Sequence, residues 1–463
     1  MSGKKRPNVL FLLTDDQRFD TIHALGNPDI ITPNMDYLAE RGAAFTQAHI
    51  PGGSSGAVCM PSRAMINTGR RLYDICGQGE TIPEDHTTLG ETLRGAQYYC
   101  FGTGKWHNGP PAFTRSFDAG DNIFFGGMWD HWNVPVNRYD PTGHYDNVIN
   151  FVADFARDNG TMRVHCDKFH PGVHSSELLT QTTLDALDAL PDDKPFFMYT
   201  AYLAPHDPRT MPRRFEEMYD PDSIPLPPNF MREHFDYGVH GIRDEVLAAY
   251  PRDEREVKRH IAQYYAMITH LDDQIGRIIQ KLRDKGLLDD TIIILAGDNG
   301  LACGEHGLMG KQSLYEHSVR VPLLISGPGI PAGLRVDNYV YLMDIYPTLC
   351  ELLGIDIPFS VQGVSFAPML RDPAYKTRRE LYMMYCELIR AVQDERYKLI
   401  EYRNGPCGNR FELFDLIVDP WETHDLYGDS GMADVKARLF ALRDEQRAIW
   451  EHDGAQSVGF WKG

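Results

Sequence analysis

Four stretches of this chain are apolar almost throughout a strand's length, and each leads into polar groups able to do chemistry. Asn8 to Thr14 (NVLFLLT) runs into Asp15-Asp16, and Tyr98 to Gly102 precedes Lys105-Trp106-His107. Phe196 to Leu203 (FFMYTAYL) precedes His206, and Thr291 to Ala296 (TIIILA) precedes Asp298-Asn299. Continuous rather than alternating hydrophobicity marks a strand buried on both faces, which requires covering layers on both sides of a sheet. A fifth run, Val321 to Ile325, has the same character. Between the runs lie helical patterns, the clearest being Glu256 to Lys285, with Ile261, Tyr264, Ile268, Leu271, Ile275, Ile278 and Leu282 on one face and Gly286 as a stop. Strands alternating with helices predict an α/β fold with a large, mostly parallel sheet flanked by helices. Ligands of such sheets bind outside the carboxyl ends of the strands, so these polar ends should converge on one crevice.

From about Asp372 the texture changes to short strand-like pieces: Glu380 to Tyr385, Leu388 to Gln393, Tyr397 to Tyr402 and Phe411 to Asp415, followed by a polar helix near Met432 to His452. This predicts a smaller antiparallel sheet with a helix against it, and a division into a catalytic α/β domain, 1–371, and a C-terminal α+β subdomain, 372–463. The region from Phe113 to Glu177 lacks a clean period and is expected to be loops with short elements.

Charge narrows the partners. With 46 Lys plus Arg against 65 Asp plus Glu, the formal net charge is −19, and no basic stripe offers itself to nucleic acid. An anionic substrate therefore needs a local cluster of cations. The eight cysteines (59, 76, 100, 166, 303, 350, 386, 407) show neither C-x-x-C pairs nor zinc-finger spacing, and read as reduced, mostly packed thiols. No run approaches membrane-spanning length, and the apolar run Val9 to Leu13 is too short for a signal-peptide core. The expectation is a cytoplasmic protein as the chain stands, or a periplasmic or secreted one had a leader been removed, with no membrane partner. Oligomeric state is left open.

Asp15 and Asp16 would face opposite sides of an extended strand, but at a strand end both can reach one cation. Joined by Asp298 and the Asn299 amide oxygen, they form an all-oxygen set, which suits Ca²⁺ or Mg²⁺; no H-E-x-x-H or other imidazole cluster supports zinc. Cys59 follows Gly52-Gly53-Ser54-Ser55-Gly56, read as an irregular approach rather than a core strand. It precedes a helix expected to begin at Ser62-Arg63, with Ser62 as a plausible cap. A cysteine just before a helix N-terminus, with an arginine four residues on, sits where negative charge is favoured. Singly, each of these residues has an ordinary reading: packed thiol, turn aspartate, solvated lysine. The conjunction carries the weight.

In chain order the sequence reads N-V-L-F-L-L-T-D-D, C-M-P-S-R (with T-G-R after it), G-K-W-H, A-P-H, G-D-N-G and G-K-Q-S-L-Y-E-H-S-V-R-V-P. This series resembles the type I, formylglycine-dependent sulfatases of the alkaline-phosphatase-like superfamily, from Asn8 to the C-terminal subdomain. The resemblance implies hydrolysis of a sulfate ester with release of inorganic sulfate. It implies that a formylglycine-generating maturation enzyme oxidises Cys59 to an aldehyde, whose hydrate attacks sulfur. By the same resemblance Asp15, Asp16, Asp298 and Asn299 hold one divalent ion, usually Ca²⁺ with Mg²⁺ as the alternative, and the residue made from Cys59 adds an oxygen to it. Arg63 would orient the diol, and Lys105 and Lys311 would grip the sulfate. His107 would take the proton when the sulfated intermediate collapses, and His206 would protonate the departing alcohol. His306 and His317 receive no chemical role.

For the substrate, Gly126 to Trp132 (GGMWDHW) is expected to line a sugar pocket, and Arg209, Arg213 and Arg214 offer themselves to a uronate carboxylate. The expected substrate is a sulfated sugar, such as a glycosaminoglycan-derived oligosaccharide. The rival readings are a phosphonate monoester or phosphodiester hydrolase with the same nucleophile, a two-zinc phosphatase, and a noncatalytic protein that binds sulfated glycans.

Overall fold

Strand β1, Asn8–Thr14, lies inside an eight-stranded sheet with every one of its residues buried. The others are β2 (Gly42–Phe45), β3 (Tyr99–Lys105), β4 (Ala119–Phe124), β5 (Phe196–Ala201), β6 (Thr291–Gly297), β7 (Leu323–Ser326) and β8 (Leu334–Val336). They run in the order β8-β2-β7-β6-β1-β5-β3-β4. These assignments come from a computed structural model that describes residues 6–154, 160–451 and 458–462. All the strands are parallel except β7, which pairs antiparallel with β6 and β2. The continuous apolar runs are thus explained: Leu10 and Leu12 enter the core on one face of the sheet, and Val9, Phe11 and Leu13 that on the other. Register sets the site, because Leu13 faces Ala201 on one side and Ala296 on the other, so that β1, β5 and β6 end side by side.

The longest helix, α1 (Glu254–Asp284), covers one face with Ile261, Tyr264, Ile268, Leu271, Ile275, Ile278 and Leu282 buried, and the Asp253 side chain caps it by accepting from the Glu256 N–H. Three strands escaped the sequence reading: β2 and β8 are short, and β2 and β4 carry small or polar residues, GAAF and AGDNIF, where a pattern would need larger apolar ones. The Phe113 to Glu177 region therefore supplies a strand of the main sheet as well as loops. The Val321 to Ile325 run forms a strand two residues later, at Leu323–Ser326.

A second sheet is formed by β9 (Leu381–Tyr385), β10 (Ile389–Gln393), β11 (Tyr397–Tyr402) and β12 (Arg410–Asp415), antiparallel in chain order, followed by helix α2 (Ala433–Trp450). Residue 452, where that helix was expected to end, lies outside the described residues. The sheet's fifth member comes from far upstream: Gly52–Gly53 pairs parallel with Met384 and Tyr385. This corrects the irregular approach expected before Cys59, of which only the bend near Ser54 to Gly56 is irregular. Gly52 has φ +97, and a Cβ there would sit 2.0 Å from the Met384 carbonyl oxygen, so only glycine fits. The smaller sheet and the approach to residue 59 are therefore joined through the backbone.

Candidate active site

The four strand ends do converge. Asp15 N–H donates to the Ala204 carbonyl, Asp298 N–H to the Thr14 carbonyl, and Asp16 N–H to Asp298 Oδ1 at 3.0 Å. Cys59 opens a helix that runs Cys59–Thr68, starting three residues before the expected Ser62. Ser62 is therefore no cap; its hydroxyl donates instead to the Asp298 carbonyl, which fastens the helix to the end of β6. Arg63, fully buried, gives Nε–H to Asp298 Oδ2 at 2.7 Å and Nη1–H to the Lys105 carbonyl at 2.5 Å. Lys105 Nζ lies 2.5 Å from Asp15 Oδ2 and 3.4 Å from Cys59 Sγ, and Lys311 Nζ is 2.6 Å from Asp16 Oδ1. His107 Nδ1 approaches Cys59 Sγ at 3.6 Å, and His206 Nε2 approaches Asp16 Oδ2 at 3.6 Å. Every residue named from sequence as catalytic or metal-ligating lies in this one crevice.

Two of them hold strained backbone. Asp16 has φ +61 and His107 φ +71, in the left-handed region that non-glycine residues enter only when their surroundings compel it. For Asp16 the compulsion is visible: the Tyr264 hydroxyl donates to its carbonyl at 2.6 Å and accepts from the Arg18 N–H at 2.9 Å.

Burial and charge set the protonation states. Burial pushes the Cys59 thiol up, against the partial opposition of Lys105 and Lys311, so the side chain is a neutral thiol and not a ready thiolate. Burial would also raise Asp15, but Lys105 and then Arg63 outweigh it and hold that carboxyl below its usual range. Asp298 goes the other way, raised by burial and by the neighbouring Asp15 charge despite Arg63 and Lys105. Lys105 and Lys311 keep their protons: burial alone would lower them, and Asp15 and Asp16 respectively more than restore them. Burial followed by Lys105 drives His107 well below its normal value. His206 falls to about 4, chiefly through burial, with Lys311 adding to it and Asp16 opposing. Its Nδ1 lies 2.7 Å from the Asp207 carbonyl, an acceptor only, so in the neutral ring Nδ1 carries the hydrogen and Nε2 faces the crevice.

The polar set is incomplete by itself. Asp15 Oδ1 and Asn299 Oδ1 are buried acceptors without a donor, and ligand atoms of Asp15, Cys59 and Asp298 all lie within 4.8 Å of one another. Buried acceptors left open beside gathered carboxylates fit a hard cation with oxygen ligands. A second grouping, Asp16, His206 and Asp207, is also close enough, but Arg243 already holds both oxygens of Asp207.

The substrate expectations fare differently. Above Cys59 opens a cavity of about 240 Å³, and of the GGMWDHW segment only Gly127 and Met128 line it. Trp129 packs on Phe151 and Phe169, and Trp132 meets His174 edge-on. His131 bonds to Ser175 Oγ and to the His206 carbonyl, so it braces the segment that carries His206. The aromatics anchor the loop and do not form the pocket. Nor do the three arginines reach it: Arg209 turns to His260, Arg213 to Glu217 and Arg214 to Asp273. The cation at the mouth is Arg243, accompanied by Asp244 and Gln312. Asp207 and Gln312 are next to named site residues in sequence, which could have drawn notice; Arg243 carries no comparable signal.

Comparison with known proteins agrees with the architecture. A structure solved in complex with its substrate D-glucosamine-2-N,6-O-disulfate superposes with a TM-score of 0.75, covering 98% of this chain and 99% of that one at 23% identity. The shared fold is that of the alkaline-phosphatase-like superfamily. Within it, the family profile described as Sulfatase matches residues 7–355, and one described as N-sulphoglucosamine sulphohydrolase, C-terminal, matches 304–448. The chain belongs to the sulfatase family and is a sulfuric ester hydrolase. Among its relatives are a choline-sulfatase of Rhizobium meliloti, 29% identical over 96% of this chain and 87% of that one, and an N-acetylglucosamine-6-O-sulfatase of Bacteroides thetaiotaomicron, 25% identical over 95% and 86%. Among the described residues no helix is long and apolar enough to cross a membrane.

Proposed function

We propose that the protein removes sulfate from a sulfated sugar, using a formylglycine made from Cys59 and one bound Ca²⁺, with Mg²⁺ as the alternative ion. The single observation that carries the site reading is the pair of open acceptors, Asp15 Oδ1 and Asn299 Oδ1, beside the residue that resembles the family's oxidised cysteine. Asp15, Asp16, Asp298 and Asn299 would hold the ion, which when bound supplies positive charge that acidifies a neighbouring hydroxyl and draws charge from sulfate oxygens. The formylglycine hydrate supplies the nucleophilic oxygen that the neutral Cys59 thiol lacks. That oxidation requires a formylglycine-generating maturation enzyme as a partner.

The chain's own residues divide the remaining work. Arg63 keeps Asp298 and the start of the Cys59 helix in one arrangement. Lys105 and Lys311 are compact ammonium groups that keep their charge near residue 59, suited to bind sulfate oxygens if the ion takes a share of Asp15 and Asp16. His107, neutral and 3.6 Å from Sγ, is suited to accept a proton from an oxygen at that position. His206 presents Nε2 to the crevice; burial is the main cause of its lowered pKa, and the arriving sulfate ester opposes the lysine charges that add to it. Its protonated form, the one able to give a proton to a departing alcohol, is thereby favoured when substrate is present. The sugar assignment draws support from the N-acetylglucosamine-6-O-sulfatase relative and from the disulfated glucosamine bound by the structural neighbour. We also propose the division into a catalytic unit, 1–371, and a C-terminal subdomain, 372–463, joined by the Gly52–Gly53 pairing.

The test is sulfate release from a panel of sulfated monosaccharides, after mass spectrometry confirms the aldehyde at position 59. Turnover of at least one sugar sulfate well above that of the matching phosphonate ester is expected. A large preference for phosphorus would transfer the site to phosphonate monoester hydrolysis.

A further inference from the structure

The mouth of the cavity is built differently from its floor. The floor carries Cys59 and Lys311, with the buried Lys105 Nζ 3.4 Å from Cys59 Sγ. At the mouth, two carboxylates meet one guanidinium: Arg243 Nη1 donates to Asp207 Oδ1 at 2.8 Å and to Asp244 Oδ1 at 3.1 Å, and Nη2 is bonded to Asp207 Oδ2. Asp244 cannot swing away, because Gln312 Nε2 holds its Oδ2 at 2.6 Å and the Gly56 carbonyl at 2.8 Å, while Gln312 Oε1 accepts from the Lys311 N–H. The Arg243 side chain is 41% exposed and that of Asp244 15%, so both present to an incoming ligand. Among the described residues Arg243 Nε has no hydrogen-bond partner. The remaining wall at this level is Met128 and Ile242, which are apolar.

Three consequences follow from charge and size. Arg243 is already paired with Asp207 and Asp244, and Lys311 with Asp16, so the mouth has no unpaired cation to offer a second anion on the ring that bears the scissile sulfate. A carboxylate beside a guanidinium offers an acceptor and a donor side by side, the complement of a hydroxyl pair. And about 240 Å³, just below the usual range of roughly 300 Å³ upward for ligand pockets, leaves room inside the cavity for one ring.

Resting on the sulfated-sugar reading above, we propose that Arg243 and Asp244, braced by Asp207 and Gln312, are specificity residues that read hydroxyls of a single terminal sugar ring. That ring is otherwise uncharged, and the enzyme selects against a second sulfate or a carboxylate on it. Arg209, Arg213 and Arg214, engaged elsewhere, provide no counter-charge for such a group.

The experiment compares kcat/KM of the matured enzyme for neutral monosulfated monosaccharides, for the best of these carrying a second sulfate or a uronate carboxylate, and for 4-nitrophenyl sulfate, which has no hydroxyls to read. Wild type is expected to favour the neutral ring by about tenfold or more, the scale of one or two hydrogen bonds to charged groups. Arg243→Gln should lower kcat/KM for the sugar about tenfold further than for the aryl ester, a split that a purely structural role would not produce. Asp244→Asn should narrow the discrimination against the doubly charged ring. A wild-type preference for that ring, or an equal loss on sugar and aryl esters in Arg243→Gln, would overturn the proposal. Turnover of 4-nitrophenyl sulfate or choline sulfate without any sugar would also overturn it, leaving sulfatase chemistry standing. Turnover of no sulfate ester at all would instead remove the site reading on which the proposal rests.

Discussion

Two arginines, Arg63 and Arg390, are equally buried in this molecule, yet their surroundings are built to opposite ends. Arg390 meets Glu451 through Nε at 2.8 Å and Nη2 at 3.2 Å, and gives Nη1 to the Cys386 and Ile389 carbonyls. Glu451 takes further bonds from the Tyr382 hydroxyl and from Trp461 Nε1. Donors and acceptors close on themselves, clasping the end of the chain to the smaller sheet. Around Arg63, three carboxylates and three cations are packed as tightly, but Asp15 Oδ1 and Asn299 Oδ1 stay open, and Asp16 and His107 sit in strained backbone. A buried polar network whose acceptors are all filled is a fastening, whereas one that leaves acceptors open awaits a partner from outside the chain.

The largest effect should come from the catalytic side. Cys59→Ala removes the precursor of the nucleophile, and turnover of sulfate esters by the purified protein should fall by about 10⁴-fold or more. Its Tm should stay within about 2 °C of wild type, since one small buried side chain is lost. Residual activity near wild type would refute a covalent route through residue 59. Next in size is the fastening: Arg390→Met leaves Glu451 buried without its partner, and urea unfolding should show a loss of about 3–5 kcal/mol. The kcat of the remaining folded fraction should hold. A fall in kcat as large as the fall in stability would mean that the two networks are coupled.

The open acceptors Asp15 Oδ1 and Asn299 Oδ1 can be tested with the ion itself. A cation that binds only the folded protein stabilises it by mass action, by about 2.7 kcal/mol at a hundredfold excess over its Kd. Added Ca²⁺ should therefore raise the Tm of wild type and of Arg390→Met by similar amounts, and that of Asp15→Ala little. An equal shift in Asp15→Ala would place the ion elsewhere.

The sequence was most legible where physics leaves few options. Buried parallel strands demand unbroken apolar runs, and those runs pointed to β1, β3, β5 and β6, and hence to which polar residues share a crevice. Short edge strands such as Gly42–Phe45 and Leu334–Val336 leave little periodic trace. The Gly52–Gly53 strand was unreadable because its partner lies more than three hundred residues away. The aromatic segment Gly126 to Trp132 misled for a related reason: composition says that rings will be buried, but not whether against protein or ligand. Here Trp129 and Trp132 found protein partners, and the exposed contribution fell to Met128. Arg243 could not be singled out because the role proposed for it depends on Asp207, thirty-six positions away.

A third kind of buried polar group, neither charged nor open to a ligand, yields the smallest effect. His131, His174 and His270 lie ring against ring beside the His206 segment, and neither nitrogen of His270 has a hydrogen-bond partner. Burial lowers all three, His131 to about 4, His174 to about 2 and His270 to about 3, with Arg214 adding to the effect on His270. Unfolded histidines titrate near 6.5. Above that pH neither state binds the proton, so the stability is intact; as pH falls from about 6.5 toward 4, the unfolded chain takes up protons that the native rings refuse. Stability should then drop by about 1.4 kcal/mol per pH unit for each histidine. His270→Phe, which keeps a flat ring beside Phe215, should flatten the pH dependence of urea unfolding by one histidine's share between pH values of about 6 and 4. Parallel curves for variant and wild type would show that Glu177, 3.5 Å from His270 Nε2, holds the ring protonated in the native state.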